Sequence, residues 1–284
     1  MKKLISVLLS VLILFACLCV PSLAADSKLF YVALGDSIAY GSGLSNPVEA
    51  CYGKIIADTN DFDFANHAIP GHTTTNLINR LSEKAVADDI KEADIISISI
   101  GGNDFLTSNL VSLMFDSLVK NNYGQFDTIS ENFYKNLSVI IDTINEYNSD
   151  AVILLQTIYN PQTGVIGSVY QQGADRLNAA IIRYADENPG EITVVDVAAA
   201  LANDPNNFAD DGIHPSAQGN ELIAAEIQKT LYSLGFAAST DTVITENGND
   251  IVIPFIFTMG LEIFANIFRV LGIIRNMLTG AVAV

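Results

Sequence analysis

The sequence has no tryptophan and few cysteines or histidines. Its 284 residues include three cysteines and three histidines. Cys17 and Cys19 lie within an N-terminal apolar run, which leaves Cys51 as the single cysteine beyond it. That part of the chain therefore cannot form an internal disulfide. Its stability must come from a hydrophobic core, for which the chain is long enough.

Basic residues are also scarce. Lysine and arginine number 14 against 32 aspartates and glutamates, and the formal net charge is -18. No basic patch stands out, so binding to the phosphates of nucleic acid is not expected. Hydrophobic residues make up 50% of the chain, which at this length predicts a globular protein of one or two domains.

The N-terminus has the pattern of a secretory leader. Two lysines precede an apolar run from Leu4 to Val20, and the small residues Ser22 to Ala24 follow it. We predict a signal peptide over residues 1–25, cut after Ala24 or Ala25, and a secreted or extracellular protein. An uncleaved membrane anchor and lipidation at Cys17 are the alternatives.

Five short apolar runs indicate buried strands, and segments with helical periodicity alternate with them. Strands that alternate with helices predict a parallel sheet covered by helices on both faces, here a single body over residues 26–236. Its last helix is expected to start near Ser216 and to stop at Gly235. The predicted strands are Phe30–Leu34, Phe62–Ala65, Ile95–Ile100, Val152–Thr157 and Ile192–Val195.

Two further segments follow the body. Residues 237–250 are polar and predict a linker, whereas residues 251–284 are apolar but are interrupted by Glu262, Arg269 and Arg275. Each such charge would cost about 2.5 to 3.5 kcal/mol at the centre of a spanning helix, so a simple transmembrane span is disfavoured. An amphipathic helix remains, for which we expect contact with a membrane surface, self-association, or packing on the body.

Chemistry-bearing residues follow three of the predicted strands. "YVALGDSIAYGSG" places Ser37 after the first strand, "ANHAIPGHTTT" places Gly71 after the second, and "SISIGGNDF" places Asn103 after the third. Ligands bind at the carboxyl ends of parallel strands, where an asparagine amide or a free backbone N–H can donate to a developing negative oxygen. Taken singly, each stretch also fits an ordinary turn.

The stretch "DDGIHPSAQG" supplies the partners that a serine needs. A serine hydroxyl is a weak nucleophile, so it requires a base within reach and a third group that orients the base. With Gly212 allowing a tight bend, Asp211 can meet one imidazole nitrogen of His214 while the other faces Ser37. Asp210 is then expected to be a solvated neighbour.

These four blocks, in this order, resemble the SGNH or GDSL hydrolase family from about Phe30 to Gly235. The resemblance implies a three-layer α/β/α fold with a five-stranded parallel sheet, flavodoxin-like in form, and ester hydrolysis by serine. It implies that Ser37 is the nucleophile, His214 the general base and Asp211 its orienting carboxylate. An oxyanion hole would come from the N–H groups of Ser37 and Gly71 and the Asn103 amide. Pro70 precedes Gly71, and we expect it to affect the direction of that backbone. No metal and no organic cofactor is implied.

Other interpretations stay open at this stage. His67 and His72 could join Asp211 and His214 in a zinc site, but we expect them to be polar rims of the pocket. The segment Phe105 to Val119 fits either an apolar wall beside Asn103 or a buried helix. The apolar segments favour lipid, lysophospholipid or short-chain acyl esters. A deacetylase of extracellular polysaccharide is the alternative enzyme, and a non-catalytic surface-binding or membrane-association module is the alternative of another class.

Overall fold

The computed structural model describes residues 28–202, 204–245, 248–250 and 256–279. The predicted leader, residues 1–25, therefore lies outside the described residues. The strands are β1 Phe30–Gly35, β2 Asp63–Asn66, β3 Ile95–Ser99, β4 Val152–Gln156 and β5 Thr193–Val195. The helices are α1 Ser37–Tyr40, α2 Pro47–Ala50, α3 Tyr52–Asn60, α4 Thr74–Leu81, α5 Lys84–Glu92, α6 Gly102–Leu106, α7 Leu110–Lys120, α8 Gly124–Tyr147, α9 Gly164–Glu187, α10 Val197–Leu201, α11 Ala217–Leu234 and α12 Ile256–Thr279, with a 3₁₀ turn at Pro205–Asn207.

All five strands form one parallel sheet in the order β2-β1-β3-β4-β5. Each predicted strand is present, with bounds shifted by no more than one residue. The strand order reverses between β1 and β3, and such a switch point opens a crevice at the carboxyl ends of these two strands. The predicted α/β fold with a five-stranded parallel sheet is confirmed.

Alternate side chains of the strands enter two separate hydrophobic layers. Val32 and Ile96 belong to the larger layer, which packs under α4 to α9 and α12. Tyr31 and Ile95 belong to the smaller one, under α1, α3, α10 and α11. Because both faces of the sheet are covered, the strands read as continuous apolar runs.

The last helix of the body has clear start and stop signals. The Ser216 hydroxyl accepts a hydrogen bond from the Gly219 N–H, which caps the first turn of α11. Gly235 ends the helix in the left-handed conformation. Both ends lie where the sequence predicts them, and the capped start fixes the chain immediately after His214.

The segment 237–250 contains no helix or strand in its described residues, apart from an isolated bridge between Asp250 and Leu44. It is nevertheless tied to the body. The Ser239 carbonyl accepts from Gln228, and the Asp250 carboxylate accepts from the Ala217 N–H. The polar linker predicted here therefore runs along the surface of the body.

The apolar C-terminal segment forms α12, which folds back across α7 and α9. Leu261 and Ala265 are buried within the larger hydrophobic layer. Of the three alternatives that the sequence leaves for this segment, packing on the body is the one that the structure contains. None of the helices in the described ranges combines the length and the apolar character that crossing a membrane requires.

Candidate active site

The residues singled out in the sequence meet at the switch point of the sheet. Ser37 begins α1 immediately after β1, Gly71 lies in the loop after β2, and Asn103 lies in α6 after β3. All three line one cavity, together with His214 from the loop before α11. Residues from four separate stretches thus converge where an open α/β sheet is expected to bind its ligand.

Asp211 and His214 form a tight local pair. The Asp211 Oδ2 atom lies 2.5 Å from His214 Nδ1, and Asp211 Oδ1 accepts from the backbone N–H groups of Ile213 and His214 at 2.9 Å each. Gly212 provides the bend with a φ of 65°. Burial opposes the charge of Asp211, but the hydrogen bonds from His214 and Ile213 prevail and lower the pKa of its carboxyl group. An ionised carboxylate at Nδ1 leaves Nε2 free to accept a proton.

The loop after α1, which includes Gly43, contacts the loop that contains His214 directly. A Cβ atom placed on Gly43 would lie 3.1 Å from the His214 Cβ, so the chain after α1 packs against the histidine. Among the described residues, the Ser37 hydroxyl forms no hydrogen bond. Ser37 and His214 line the same cavity, and in ligand-free sites such contacts are often looser than in the reacting complex.

Two backbone donors are free at the cavity. In the described part of the chain, the N–H groups of Ser37 and Gly71 have no backbone acceptor. The His72 N–H donates to the Ile69 carbonyl at 3.2 Å, and Gly71 has a φ of 83°, so Pro70 and Gly71 occupy the two central positions of a β-turn. Proline followed by a glycine of positive φ is typical of a type II turn. Pro70 therefore fixes the direction of Gly71 rather than disturbing it.

Asn103 is held in place by the same loop. Its Nδ2 donates one hydrogen to the His72 carbonyl at 2.9 Å, which leaves the second hydrogen for a ligand. The next residue braces this arrangement, because Asp104 accepts hydrogen bonds from both the N–H and the hydroxyl of Thr74. Thr74 is fully buried and its hydroxyl also accepts from Asn136. The Gly71 loop and the helix that carries Asn103 are thereby locked together.

Asp36 is a second buried carboxylate at the site. Its side chain is buried and accepts from the Ile38 N–H at 3.0 Å, which caps α1. Burial raises the pKa of Asp36 to about 7, against the opposing effects of the Ile38 N–H and of His214. The carboxyl group of Asp36 therefore caps α1 and is not a permanently charged neighbour of Ser37.

The cavity extends away from the polar residues into an apolar space. Its volume is about 310 Å³. Beyond Ser37 it is lined by Phe105 and Leu106 of α6, Ile158 of the loop after β4, and Tyr170, Ala174 and Leu177 of α9. Of the predicted Phe105–Val119 wall, the first two residues line the cavity, whereas α7 packs between the body and α12. The segment thus combines the two alternatives that the sequence left open.

Neither of the other two histidines lines this cavity. His67 Nε2 lies 2.6 Å from Asp89, and Arg80 donates to the His67 carbonyl, so this residue pins the start of the Gly71 loop. His72 contributes its carbonyl to Asn103. The expectation that both form polar rims of the pocket is wrong, because neither residue is among those that line the cavity. Within the described residues no group of three potential ligands could hold a metal ion.

Sequence inspection missed the residues that support the histidine loop. The Tyr159 hydroxyl donates to the Ile213 carbonyl at 2.8 Å, and Gln162 donates to the Gly212 carbonyl. Both lie in the loop after β4, about fifty residues away from their partners. A polar loop at the carboxyl end of a strand was the available signal, but nothing in its sequence indicates which carbonyl it contacts.

Comparisons with known proteins agree with this geometry. The family model described as "GDSL-like Lipase/Acylhydrolase family" matches residues 33–222. The spore germination lipase LipC of Bacillus licheniformis is 27% identical over 216 residues, which cover 72% of this chain and 97% of that protein. The family match therefore spans all four blocks and ends within α11.

Solved structures show the same fold. The lipase Lip_vut3 from a goat rumen metagenome has a TM-score of 0.61 at 23% identity and covers 74% of this chain and 99% of its own. Phospholipase A1 from Streptomyces albidoflavus NA297 has a TM-score of 0.51 at 18% identity, with 68% and 94% covered. In each case about a quarter or more of this chain has no counterpart.

Proposed function

The chain belongs to the GDSL-like lipase/acylhydrolase family and is an ester-hydrolysing enzyme, and from this premise we propose that it cleaves carboxylic esters with apolar acyl chains through an acyl-enzyme on Ser37. The observation that carries the proposal is the apolar cavity that opens from Ser37. Pockets of this kind bind the apolar part of a ligand, while a few polar groups at one end fix its orientation.

The proposed mechanism assigns one task to each polar group. His214 accepts the hydroxyl proton as Ser37 attacks the ester carbonyl, and Asp211 stabilises the imidazolium that forms. The N–H groups of Ser37 and Gly71 and the Asn103 amide stabilise the tetrahedral oxyanion. His214 then protonates the leaving alcohol. Water, activated by the same histidine, hydrolyses the acyl-enzyme.

The shape of the cavity favours lipid-like acyl groups over acetyl groups. An acetyl group would leave the space between α6 and α9 unfilled, whereas each methylene buried there contributes about 0.8 kcal/mol. Two similar proteins are named a lipase and a phospholipase, which supports the same class of substrate. Lipid, lysophospholipid and other acyl esters are therefore proposed ahead of acetylated polysaccharide.

An acyl-chain-length profile tests this proposal. With p-nitrophenyl esters from acetate to long chains, beside a lysophospholipid and an acetylated sugar, we expect kcat/KM to be highest for chains longer than acetate. Ser37→Ala should lower kcat by roughly 10⁴ to 10⁶ on every substrate. A preference for acetyl esters would favour the deacetylase. Absence of turnover in the parent protein would favour the non-catalytic module.

A pair of substitutions on α9 separates substrate choice from stability. Ala174→Phe places a ring in the cavity, whereas Ala180→Phe places the same ring elsewhere on the same helix. The two alanines are similarly buried, 4% and 5% exposed, but Ala180 does not line the cavity. We expect Ala174→Phe alone to lower kcat/KM for long acyl chains by roughly 10- to 100-fold while acetyl ester turnover persists. A uniform loss in both variants would contradict an acyl-binding role for the cavity.

The proposed function also includes export of the enzyme from the cell. The leader pattern of residues 1–25 supports a secreted or extracellular enzyme, and contact with a membrane surface or self-association would involve residues 251–284. Sequencing of the mature N-terminus is expected to start at Ala25 or Asp26. An intact N-terminus in the membrane fraction would indicate an uncleaved anchor, and a lipid-modified Cys17 would indicate a lipoprotein.

A further inference from the structure

The outward face of α12 is apolar from Ile263 to Leu278. Nine large hydrophobic side chains on it are between 42% and 82% exposed: Ile263, Phe264, Ile267, Val270, Leu271, Ile273, Ile274, Met277 and Leu278. Exposed hydrophobic residues scattered singly are normal, but a contiguous group of this kind marks an interaction site. The family match ends at residue 222, so this surface lies outside the matched region.

Contacts on the opposite side fix the orientation of the helix. Ala265 is fully buried, and Phe268 packs edge-on against Phe115 of α7 with ring centroids 5.4 Å apart. A Cβ atom on Gly272 would lie 2.0 Å from the Leu118 carbonyl oxygen, so the backbones of α12 and α7 touch there. The apolar face therefore cannot turn inward without breaking this packing.

Glu262 adds a polar anchor at the start of the helix. Its carboxylate accepts from the Ile166 N–H at 3.1 Å and from the Asn266 amide at 3.0 Å. The negative charge of this helix is thereby turned toward the body. The two positive charges, Arg269 and Arg275, are both exposed, and neither forms an ion pair with another described residue; Arg275 also donates to the Val119 carbonyl of α7 at 3.3 Å.

The two arginines flank the apolar face. Successive helix residues are about 100° apart, which puts Ile263, Ile267, Val270 and Ile274 near the centre of the outward arc. On the same wheel Arg275 falls at one margin of this arc and Arg269 at the other. Cations beside an apolar face are the arrangement of a helix that lies in a lipid interface, where they meet headgroup phosphates.

We propose that the outward face of α12 binds the enzyme to the surface of a phospholipid bilayer. The helix starts beside the N-terminus of α9, and α9 lines the acyl cavity with Tyr170, Ala174 and Leu177. Binding there keeps the cavity near the source of lipid esters. This surface does not depend on the ester chemistry and would stand without it.

The charges favour lipid over a second copy of the chain. Pairing of two α12 faces would bring two chains of net charge -18 together, whereas a zwitterionic phospholipid surface has no net charge that repels the protein. In a bilayer the apolar face of α12 would contact the acyl chains, and the arginines at the margins of this face would contact the headgroup phosphates. The experiment therefore has to distinguish vesicle binding from self-association of the protein.

Vesicle co-sedimentation tests the proposal with matched variants. The double variant Ile267→Glu/Ile274→Glu puts charge at the centre of the face, and Ile182→Glu on α9 is the control, since Ile182 and Ile274 are 47% and 46% exposed. All proteins carry the same N-terminus. We expect the double variant to bind phosphatidylcholine–phosphatidylglycerol vesicles roughly tenfold or more weakly than the parent, and the control to bind like the parent. Arg269→Gln/Arg275→Gln should bind more weakly than the parent, and we expect this difference to grow as the phosphatidylglycerol content of the vesicles is raised.

Three results would overturn the proposal. They are absence of vesicle binding by the parent, equal binding by parent and double variant, and a parent dimer that dissociates in the double variant without any vesicle binding. Analytical ultracentrifugation of each protein decides the last of these. Turnover of a soluble short-chain ester is measured in parallel. If the parent protein does not turn over this ester, the proposed function is refuted, whereas the binding result is unaffected.

Discussion

At the scale of single residues, the site is a set of short local motifs whose orientation depends on distant partners. Asp211 and His214 are close because they are three residues apart with Gly212 between them, and this pairing follows from the sequence. The direction in which the pair faces depends on Tyr159 and Gln162, which hold the carbonyls of the same loop. No local pattern reveals these supports, because a hydroxyl or an amide in a loop can contact any nearby carbonyl.

The two aspartates before His214 should differ sharply in their effect. Asp211→Asn keeps the size of the side chain but removes the charge that orients the imidazole, so we expect kcat on a soluble ester to fall by roughly 10⁴. Asp210 is exposed, and Asp210→Asn should change kcat by no more than a small factor. Steady-state kinetics of the two variants at the same pH checks this. Similar losses in both would refute the assignment of Asp211.

We expect Asp104 to act as a positioning residue for the proposed oxyanion hole. Asp104→Asn cannot accept both hydrogen bonds from Thr74, so the Gly71 loop and Asn103 lose their fixed spacing. We expect kcat to fall by roughly 10- to 100-fold with KM little changed, because a misplaced oxyanion donor affects the transition state most. Asp127→Asn, at an exposed ion pair with Arg176, serves as the control. A lower unfolding temperature with unchanged kcat would make the role of Asp104 structural only.

At the scale of helices and strands, the sequence predicts most of the elements but not all of their contacts. The five strands are recognisable because burial on both faces requires continuous apolar runs. The start and end of α11 are recognisable because Ser216 and Gly235 act locally. The docking of α12 cannot be recognised in the sequence, because the side that faces the body is made of small and mixed residues while the larger apolar side faces outward.

The start of α9 depends on α12 in a way that stability measurements can detect. Thr163 precedes α9 but makes no side-chain capping bond, and Glu262 supplies a carboxylate to the Ile166 N–H instead. Glu262→Ala should lower the free energy of unfolding by about 1 kcal/mol, as for loss of a helix cap. Glu262→Gln should cost less, since it keeps an acceptor oxygen. Urea unfolding of both variants, with exposed Glu92→Ala as control, tests this; equal stability of all three would exclude a capping role.

At the scale of the whole molecule, strand order and net charge set the behaviour. The reversal of strand order between β1 and β3 brings Ser37 and Asn103 to one crevice, although they are far apart in the chain. The acidic excess of the chain, 32 carboxylates against 14 basic side chains, produces repulsion across the folded surface. Against this acidic excess, the two exposed arginines of α12 form a locally positive part of the surface.

Salt should therefore stabilise the folded protein. Raising ionic strength from about 0.01 to about 0.1 M shortens the Debye length from about 30 to about 10 Å and screens repulsion between like charges. We expect the urea midpoint of the full-length protein to rise over this range of sodium chloride. A constant or falling midpoint would show that the ion pairs of the surface outweigh its net repulsion.

The sequence by itself determined the fold class, the four motifs and the pairing of Asp211 with His214. These depend on hydrophobic periodicity and on contacts a few residues apart, which the order of residues fixes directly. Only the tertiary structure decided which loops support the site, that His67 and His72 lie off the cavity, and that α12 presents its apolar side outward. Those outcomes depend on which surfaces pack together over long sequence separations, and local preferences leave several such packings open.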